Sequence, residues 1–518
     1  MSRMRPLPGV IQFTQLLSRV VNFKEYSAAI HLFKDISCNL GIPVDEYAMT
    51  IAVNCYCLSN RVDYGFSILG WFFKRGCVPN AITFCTLLKG LFRENKINEA
   101  QALFKKVVRE GLCEVDVITY GIVTDGLCKA GNTAMAIELL RVMEKGRRSC
   151  KPNTHVYNMV IAGLCKDRMI DDALKLFDEM SEKGITPDVV TYNALICGFC
   201  NLSRWREGGL GGWAKDVLQI MMLQNVNPNV ISYNSLIDGY CLRGRMDEAR
   251  NVIASMGSKN IAPDIWSYSI LINGYCRKKK IDDAIHLFRE MPSKGLSPNI
   301  VTYSALLEGL FCVGRCSCAL ELFDELQTVG LKPNFHTFCN LLNGLCKNGR
   351  VKEASLLLDA LEHREGECLH ITYYSIVMDG FCKAKNLDAA RAIFMGLSSK
   401  GLEPDVVTYN ILIKGCCKNG LLEEAQDVLL RMEEASLSPD RITYNSIVLG
   451  NLKRGQYEDA AKFLEDMDDR GFSLNASTFE LLRGLLGTTE QNPSIVKMIQ
   501  KLAPNTLNQK SRVNELGY

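Results

Sequence analysis

The chain carries 22 cysteines, and nine of them, Cys57, Cys128, Cys165, Cys200, Cys241, Cys276, Cys346, Cys382 and Cys417, fall at one recurring register. Thiols can ligate zinc, pair as disulfides or act as nucleophiles, but each role needs a partner group close by. Neighbours in this register are mostly one interval of about 35 residues apart. The register therefore reads as packing, since a free cysteine behaves as a small buried hydrophobe. Cys312, Cys316 and Cys318, and the pair Cys55 and Cys57, lack the second ligand pair of a structural zinc site. The six histidines are scattered, and no His-x-Glu with Cys-x-x-Cys occurs. A phosphate-binding glycine loop, a nucleophile elbow and a metalloprotease motif are likewise missing from the sequence. Acidic pairs at Asp171 and Asp172, Asp282 and Asp283, and Glu423 and Glu424 recur by register, as a solvated helix face does. No catalytic residue, metal or cofactor is expected, and the chain is read as a binder rather than an enzyme.

Composition narrows what it can bind. With 47% hydrophobic and 23% charged residues there is ample material for a core. The 60 basic residues barely exceed the 57 acidic ones, so any basic surface has to be local. Many cysteines without a secretory signal favour a reducing compartment. No apolar run reaches the roughly 18 residues needed to cross a bilayer, and no membrane partner is expected. The start carries Arg3, Arg5 and Arg19 with no acid before Glu25, in the manner of an organelle transit peptide, but repeats begin near Val10, leaving no clear transit segment.

These residues are positioned by a repeat. VTYNALICGFC, ISYNSLIDGYC, VTYSALLEGLF and VTYNILIKGCC recur at intervals near 35 residues, each followed by a segment like IDDALKLFDEM and then G-x-x-P-D/N. Apolar residues at i, i+3 and i+4 make both segments helical, and glycine followed by proline ends the second. One hairpin cannot bury its apolar face alone, so the expectation is an all-α solenoid, a right-handed superhelix of about 13 helix-turn-helix repeats. Its repeats run 10–45, 46–80, 81–116, 117–153, 154–188, 189–229, 230–264, 265–299, 300–334, 335–370, 371–405, 406–440 and 441–475. An N-terminal stub (1–9) precedes them, and a partial repeat (476–505) and a polar tail (506–518) follow. The sixth repeat is over-long, with a Gly-rich insertion around Glu207 to Met222 that reads as an edge loop or an irregularity of the sequence itself. Glycines such as Gly90 and Gly239, and alanines such as Ala100 and Ala249, are expected to let the paired helices approach closely.

The 35-residue period, the VTYN start, the G-[LFY]-C-K run and the G-x-x-P-[DN] end resemble pentatricopeptide repeats over residues 10 to 475. The opening segments RMRPLPGVIQFTQLLS and NCYCLSNRVDYGFSILG resemble the fertility-restorer-like, P-class group of plant organelle proteins. The resemblance implies single-stranded RNA binding at one base per repeat. It implies action in organellar transcript processing or stabilisation, in the mitochondrion or, alternatively, the chloroplast, with a recruited nuclease or other processing factor as a further partner.

The resemblance also assigns roles. The fifth and last residues of a repeat face the base edge, and the second residue wedges between bases. The pairs are Thr14/Asp45, Thr50/Asn80, Cys85/Asp116, Gly121/Asn153, Asn158/Asp188, Asn193/Asn229, Asn234/Asp264, Ser269/Asn299, Ser304/Asn334, Cys339/His370, Ser375/Asp405, Asn410/Asp440 and Asn445/Asn475. The family's pairing rule then implies the RNA 5'-GANNUYUAANGUY-3', with repeats three, four and ten undetermined. The wedges are Ile11, Tyr47, Ile82, Ile118, His155, Val190, Ile231, Trp266, Val301, His336, Thr372, Val407 and Ile442. Arg93, Lys129, Lys166, Arg277, Lys347, Lys383, Lys418 and Lys453 occupy one more register, where they can neutralise successive phosphates or complement the helix dipole. The rival reading is a protein-binding helical-repeat scaffold, against which stands the restriction of two registers to Asn, Ser and Thr and to Asp and Asn.

Overall fold

Eleven residues at 100° each return a helix to within about 20° of its starting direction. A thirteen-residue segment therefore aligns its second and last residues on one face and leaves another to be buried. In the computed structural model, which describes residues 10–35, 44–74, 76, 78–146, 150–201, 211–363 and 369–486, the regular elements among the described residues are helical. They form two bodies, residues 1–262 and 263–518.

In the first body the hairpins are Val10–Asn22 with Tyr26–Lys34, Glu46–Leu58 with Val62–Lys74, Ala81–Arg93 with Ile97–Glu110, and Val117–Lys129 with Thr133–Lys145. Thr154–Lys166 with Ile170–Glu182, Val189–Asn201 with Gly211–Leu223, and Val230–Arg243 with Met246–Ser258 complete it. In the second body Ile265–Arg277 pairs with Ile281–Glu290, Ile300–Cys312 with Cys316–Thr328, and Phe335–Lys347 with Val351–Glu362. Ile371–Lys383 pairs with Leu387–Gly396, Val406–Asn419 with Leu422–Glu434, and Arg441–Arg454 with Tyr457–Asp469, and Ala476–Leu486 ends the described chain. Each body is a tandem stack of antiparallel hairpins in which first helices pack on first helices, the α-solenoid arrangement.

The sixth repeat corrects an expectation. Most of the Gly-rich stretch read as an insertion is the hairpin's second helix, Gly211–Leu223. Ala214, Val217, Leu218 and Met221 are buried at helical spacing, which outweighs the glycines that open the segment. Residues 202–210 lie outside the described residues, as do the stub, the tail and residues 487–505 of the partial repeat.

Two devices join successive hairpins. In four repeats the tyrosine of the first-helix motif meets, edge to face, a phenylalanine from the preceding second helix. Phe104 and Tyr120, Phe177 and Tyr192, Phe288 and Tyr303, and Phe394 and Tyr409 have centroids 5.0–5.5 Å apart. The second device is the cysteine register. Most glycines of the recurrent register seat against the preceding repeat's cysteine, so the close approach lies between successive first helices and not within a hairpin as expected. A Cβ on Gly239 would collide with Cys200 Sγ and lie 2.6 Å from its Cβ. Gly163 meets Cys128 and Gly415 meets Cys382 in the same way, while Phe92 and Phe311 replace the cysteine opposite Gly126 and Gly344. Burial pushes the thiols of Cys57, Cys128, Cys165, Cys200, Cys276 and Cys417 up to about 12, so they stay protonated. Among the described residues no cluster of His, Cys, Asp and Glu is placed to hold a metal ion.

This joint predicts a sign reversal. Gly→Ala in an open helix stabilises by up to about 1 kcal/mol, and Gly257 has open space around it. Gly257→Ala should raise the melting temperature slightly. Gly239→Ala should lower stability by about 1–3 kcal/mol, the cost of overpacking, read as a fall in melting temperature.

Candidate functional site

The last residue of each repeat has a structural task. Asp45, Asn80, Asp116, Asn153, Asn229, Asp264, Asn299, Asn334, Asp405 and Asp440 are the N-caps of the helices that follow them. Their side-chain oxygens accept backbone N–H groups two or three residues on, for example Thr119 N to Asp116 at 2.8 Å and Thr408 N to Asp405 at 2.9 Å. Asp188 accepts from Val190 N and Thr191 N at 3.0 Å, and Asn475 from Thr478 N at 2.8 Å. Asn and Asp are the best capping residues, so capping alone restricts this register to them. His370 caps through Nδ1, which accepts from Thr372 N at 3.2 Å, and its ring lies 4.8 Å from that of Phe335. At repeat ten an imidazole and a phenyl ring thus stand where other repeats present an amide or carboxylate.

The fifth residues sit beside these caps. Asn158 Nδ2 donates to Asp188 at 2.9 Å, Asn193 Nδ2 to Asn229 at 3.4 Å, and Asn410 Nδ2 to Asp440 at 3.1 Å. Burial disfavours the charged form of Asp188 and Asp440, but the amides and hydroxyls donating to them outweigh it and hold both carboxyls below their usual value. The structure thus brings the expected partners together in repeats five, six and twelve. Ser269 donates to Ile265 O at 2.8 Å and Ser375 to Ile371 O at 3.1 Å, both buried, whereas Thr50 and Ser304 are half-buried. Thr14 is buried and Asn234 half-buried in their first helices. Asn445 departs from the others: its amide donates to Arg441 O and its oxygen accepts from Asn475 N at 2.9 Å, so it is turned onto backbone. Gly121 has no side chain to offer, and Cys85 and Cys339 are half-buried thiols.

The second residues are the exception to burial. Ile11, Tyr47, Ile82, Ile118, Val190, Ile231, Trp266, Val301, Val407 and Ile442 are 41–71% exposed, and His155 and His336 are exposed with them. Thr372 is half-buried. Between His155 and Val190 lies a groove of about 270 Å³, also lined by Asn158, Met159, Lys129 and Lys166. Two wedge residues, a fifth residue and two basic residues therefore border one space.

All eight members of the basic register are exposed in the last turns of first helices. Three are engaged. Lys129 pairs with Asp125 at 2.7 Å, Lys383 with Asp379, and the Lys166 ammonium donates to Lys129 O at 3.0 Å. Residues that the sequence reading passed over are the third residues, Thr83, Thr191, Ser232, Thr302, Thr337 and Thr443. They are fully buried with hydroxyls at the cap, and an Asx followed by Thr or Ser three residues later is the signal that marks them.

The PPR repeat family model matches residues 79–129, 115–166, 152–201, 228–277, 268–312 and 439–485. Companion PPR repeat models match 329–362 and 400–433, and 301–331 and 372–402. The chain belongs to the PPR repeat family. This PPR chain is 36% identical to a mitochondrial pentatricopeptide repeat-containing protein of Arabidopsis thaliana over 20% of its own length and 17% of that protein. It is 26% identical to a chloroplastic one from the same plant over 32% of its length and 22% of the other's. The matches thus span less than a quarter of either relative. Among solved structures, PPR10 from maize is similar at 22% identity and a TM-score of 0.39, covering 99% of this chain and 79% of that one.

Proposed function

We propose that this PPR protein binds single-stranded RNA in a sequence-dependent way, one base per repeat, and does no chemistry itself. The observation that carries this is the exposure of an apolar residue at the second position of ten repeats, beside fifth residues such as the buried Asn158 and Asn410 that bond to the next cap. Exposed apolar side chains at a single register are costly to leave in water unless they meet a partner. A row of flat bases suits them, because every base has a π face to pack and an edge to hydrogen-bond. In repeats five and twelve the outward groups are the second amide N–H of Asn158 or Asn410 and the free carboxylate oxygen of Asp188 or Asp440. One donor beside one acceptor complements the O4 and N3–H edge of uracil.

The biological reading is that of the restorer-like, P-class group: occupation of an organellar transcript, mitochondrial in the first instance and chloroplastic in the second. Occupation would stabilise the transcript or mark a site for a recruited nuclease. The organellar names of the relatives and the lack of clustered nucleophiles in the sequence support it.

Binding of the purified chain to a labelled GANNUYUAANGUY RNA, a scrambled RNA and the DNA equivalent tests the proposal. Preference for the first supports it. Equal weak binding to all three overturns it in favour of a protein-binding scaffold.

A further inference from the structure

In six repeats the hydroxyl of the third residue reaches across the boundary to the fifth residue of the preceding repeat. Thr191 Oγ1 lies 2.5 Å from Asn158 Oδ1, Ser232 Oγ 2.6 Å from Asn193 Oδ1, and Thr443 Oγ1 2.6 Å from Asn410 Oδ1. In the hydroxyl-bearing repeats, Thr83 lies 3.0 Å from Thr50, Thr302 2.7 Å from Ser269, and Thr337 3.2 Å from Ser304. These third residues are fully buried, so no base can touch them.

A hydroxyl has one proton to give. Thr443 could donate it to Asn410 Oδ1 at 2.6 Å or to Asp440 Oδ1 at 3.0 Å. Asp440 Oδ1 already accepts from Ile442 N at 2.8 Å, Thr443 N at 2.9 Å and Asn410 Nδ2 at 3.1 Å. Two oxygens at 2.6 Å with no proton between them repel, so the proton belongs to Asn410. The Asn410 amide is thereby held at both ends, its oxygen on Thr443 and one N–H on Asp440. At Ser269 the same accounting applies. Ser269 donates its proton to Ile265 O at 2.8 Å, so Thr302 must donate to Ser269, and Ser269 turns a lone pair outward.

The chain contains its own comparisons. Gly121, which has nothing to orient, is followed by Val156 at the third position, and Cys339 by Tyr373. Val156 is 1% exposed, so valine fits this site. Thr408 and Thr478 keep their hydroxyls in the cap, on Asp405 and Asn475, and leave Ser375 and Asn445 on backbone carbonyls.

We infer that the buried third-position hydroxyl is a positioning residue for the base reader of the preceding repeat: it fixes which hydrogen-bonding group the fifth residue turns toward the RNA. This rests on the RNA-reading proposal above, which places the fifth residue at the base edge.

The test compares Thr443→Val, Thr443→Ser and Thr478→Val in the full chain, using GANNUYUAANGUY RNAs that carry U, C, A or G at the twelfth position. A second set varies the thirteenth. Both valine variants remove one hydroxyl bond to a cap, since Thr443 Oγ1 accepts from Asp440 N at 3.1 Å and Thr478 Oγ1 donates to Asn475 at 2.8 Å, but only Thr443→Val also releases a fifth residue. The expected result is that Thr443→Val loses about tenfold of its preference for U at the twelfth position, the worth of about one hydrogen bond. Thr443→Ser should keep that preference, and Thr478→Val should leave the thirteenth-position preferences unchanged while its melting temperature falls as far as that of Thr443→Val. If the wild type discriminates at the twelfth position and Thr443→Val discriminates equally well, the inference is overturned and the RNA reading stands. A change of reading in Thr478→Val equal to that in Thr443→Val overturns it too, because the effect would then come from the cap. A wild type that prefers no base at either position overturns the RNA reading and this inference together.

Discussion

Exchanging Asn410 for Ser and Asp440 for Asn together should move the base preferred at the twelfth RNA position from U to A. Affinity for the original RNA should fall by about 5- to 150-fold, corresponding to the roughly 1–3 kcal/mol that one mismatched position costs, and should return when that U is replaced by A. The restoration is what gives the experiment its force. A stability defect would weaken binding to both RNAs, and it is not expected, because the introduced asparagine would still cap Arg441–Arg454 as Asp440 does through Ile442 N and Thr443 N. Equal loss on both RNAs, measured as Kd by fluorescence anisotropy, would show that the pair holds the helix and does not read the base.

Salt should weaken binding steeply, with a slope set by the basic residues not already paired. Each phosphate neutralised on a single strand contributes about −0.7 to the slope of log K against log salt. Arg93, Arg277, Lys347, Lys418 and Lys453 would give about −3.5, a loss of roughly 130-fold between 50 and 200 mM salt. The full register of eight would give about −5.6 and a loss of roughly 2,000-fold. The lower slope is expected, since Lys129 and Lys383 face Asp125 and Asp379 one helical turn away and the Lys166 ammonium is drawn onto Lys129 O. Asp125→Asn frees Lys129 and should steepen the slope by about 0.7, whereas Lys453→Ala should flatten it by as much. A slope near zero in the wild type would remove the phosphate role from this register.

The hairpins were legible because apolar spacing and the Gly-Pro stops both depend on local sequence. Features that depend on which repeats touch were not. Cys200 and Gly239 belong to two registers visible in the sequence, but nothing local says that they meet across a repeat boundary. The sixth hairpin was obscured by glycines, although Ala214, Val217, Leu218 and Met221 carried the helical period throughout. An isoleucine such as Ile82 or Ile231 looks like core in a string of letters, and its exposure emerges only when the stack turns that face outward. The Asp and Asn register had been set against a protein scaffold, but helix capping requires those residues whatever the chain binds. The i, i+4 spacing of Asp125 and Lys129 could have shown in advance that this lysine had a competing partner.

The caps have a further consequence, for how such a chain diverges. Asp and Asn serve a helix start almost equally, and a single base change in a codon can exchange them. On the proposed reading that exchange rewrites a letter of the target, G to A beside a threonine or serine, while folding is left nearly untouched. Selection on stability therefore cannot see the change, and selection on target choice can. A population could accumulate such spellings at Asp45, Asn80 or Asp405 and test each against new transcripts without passing through an unfolded ancestor.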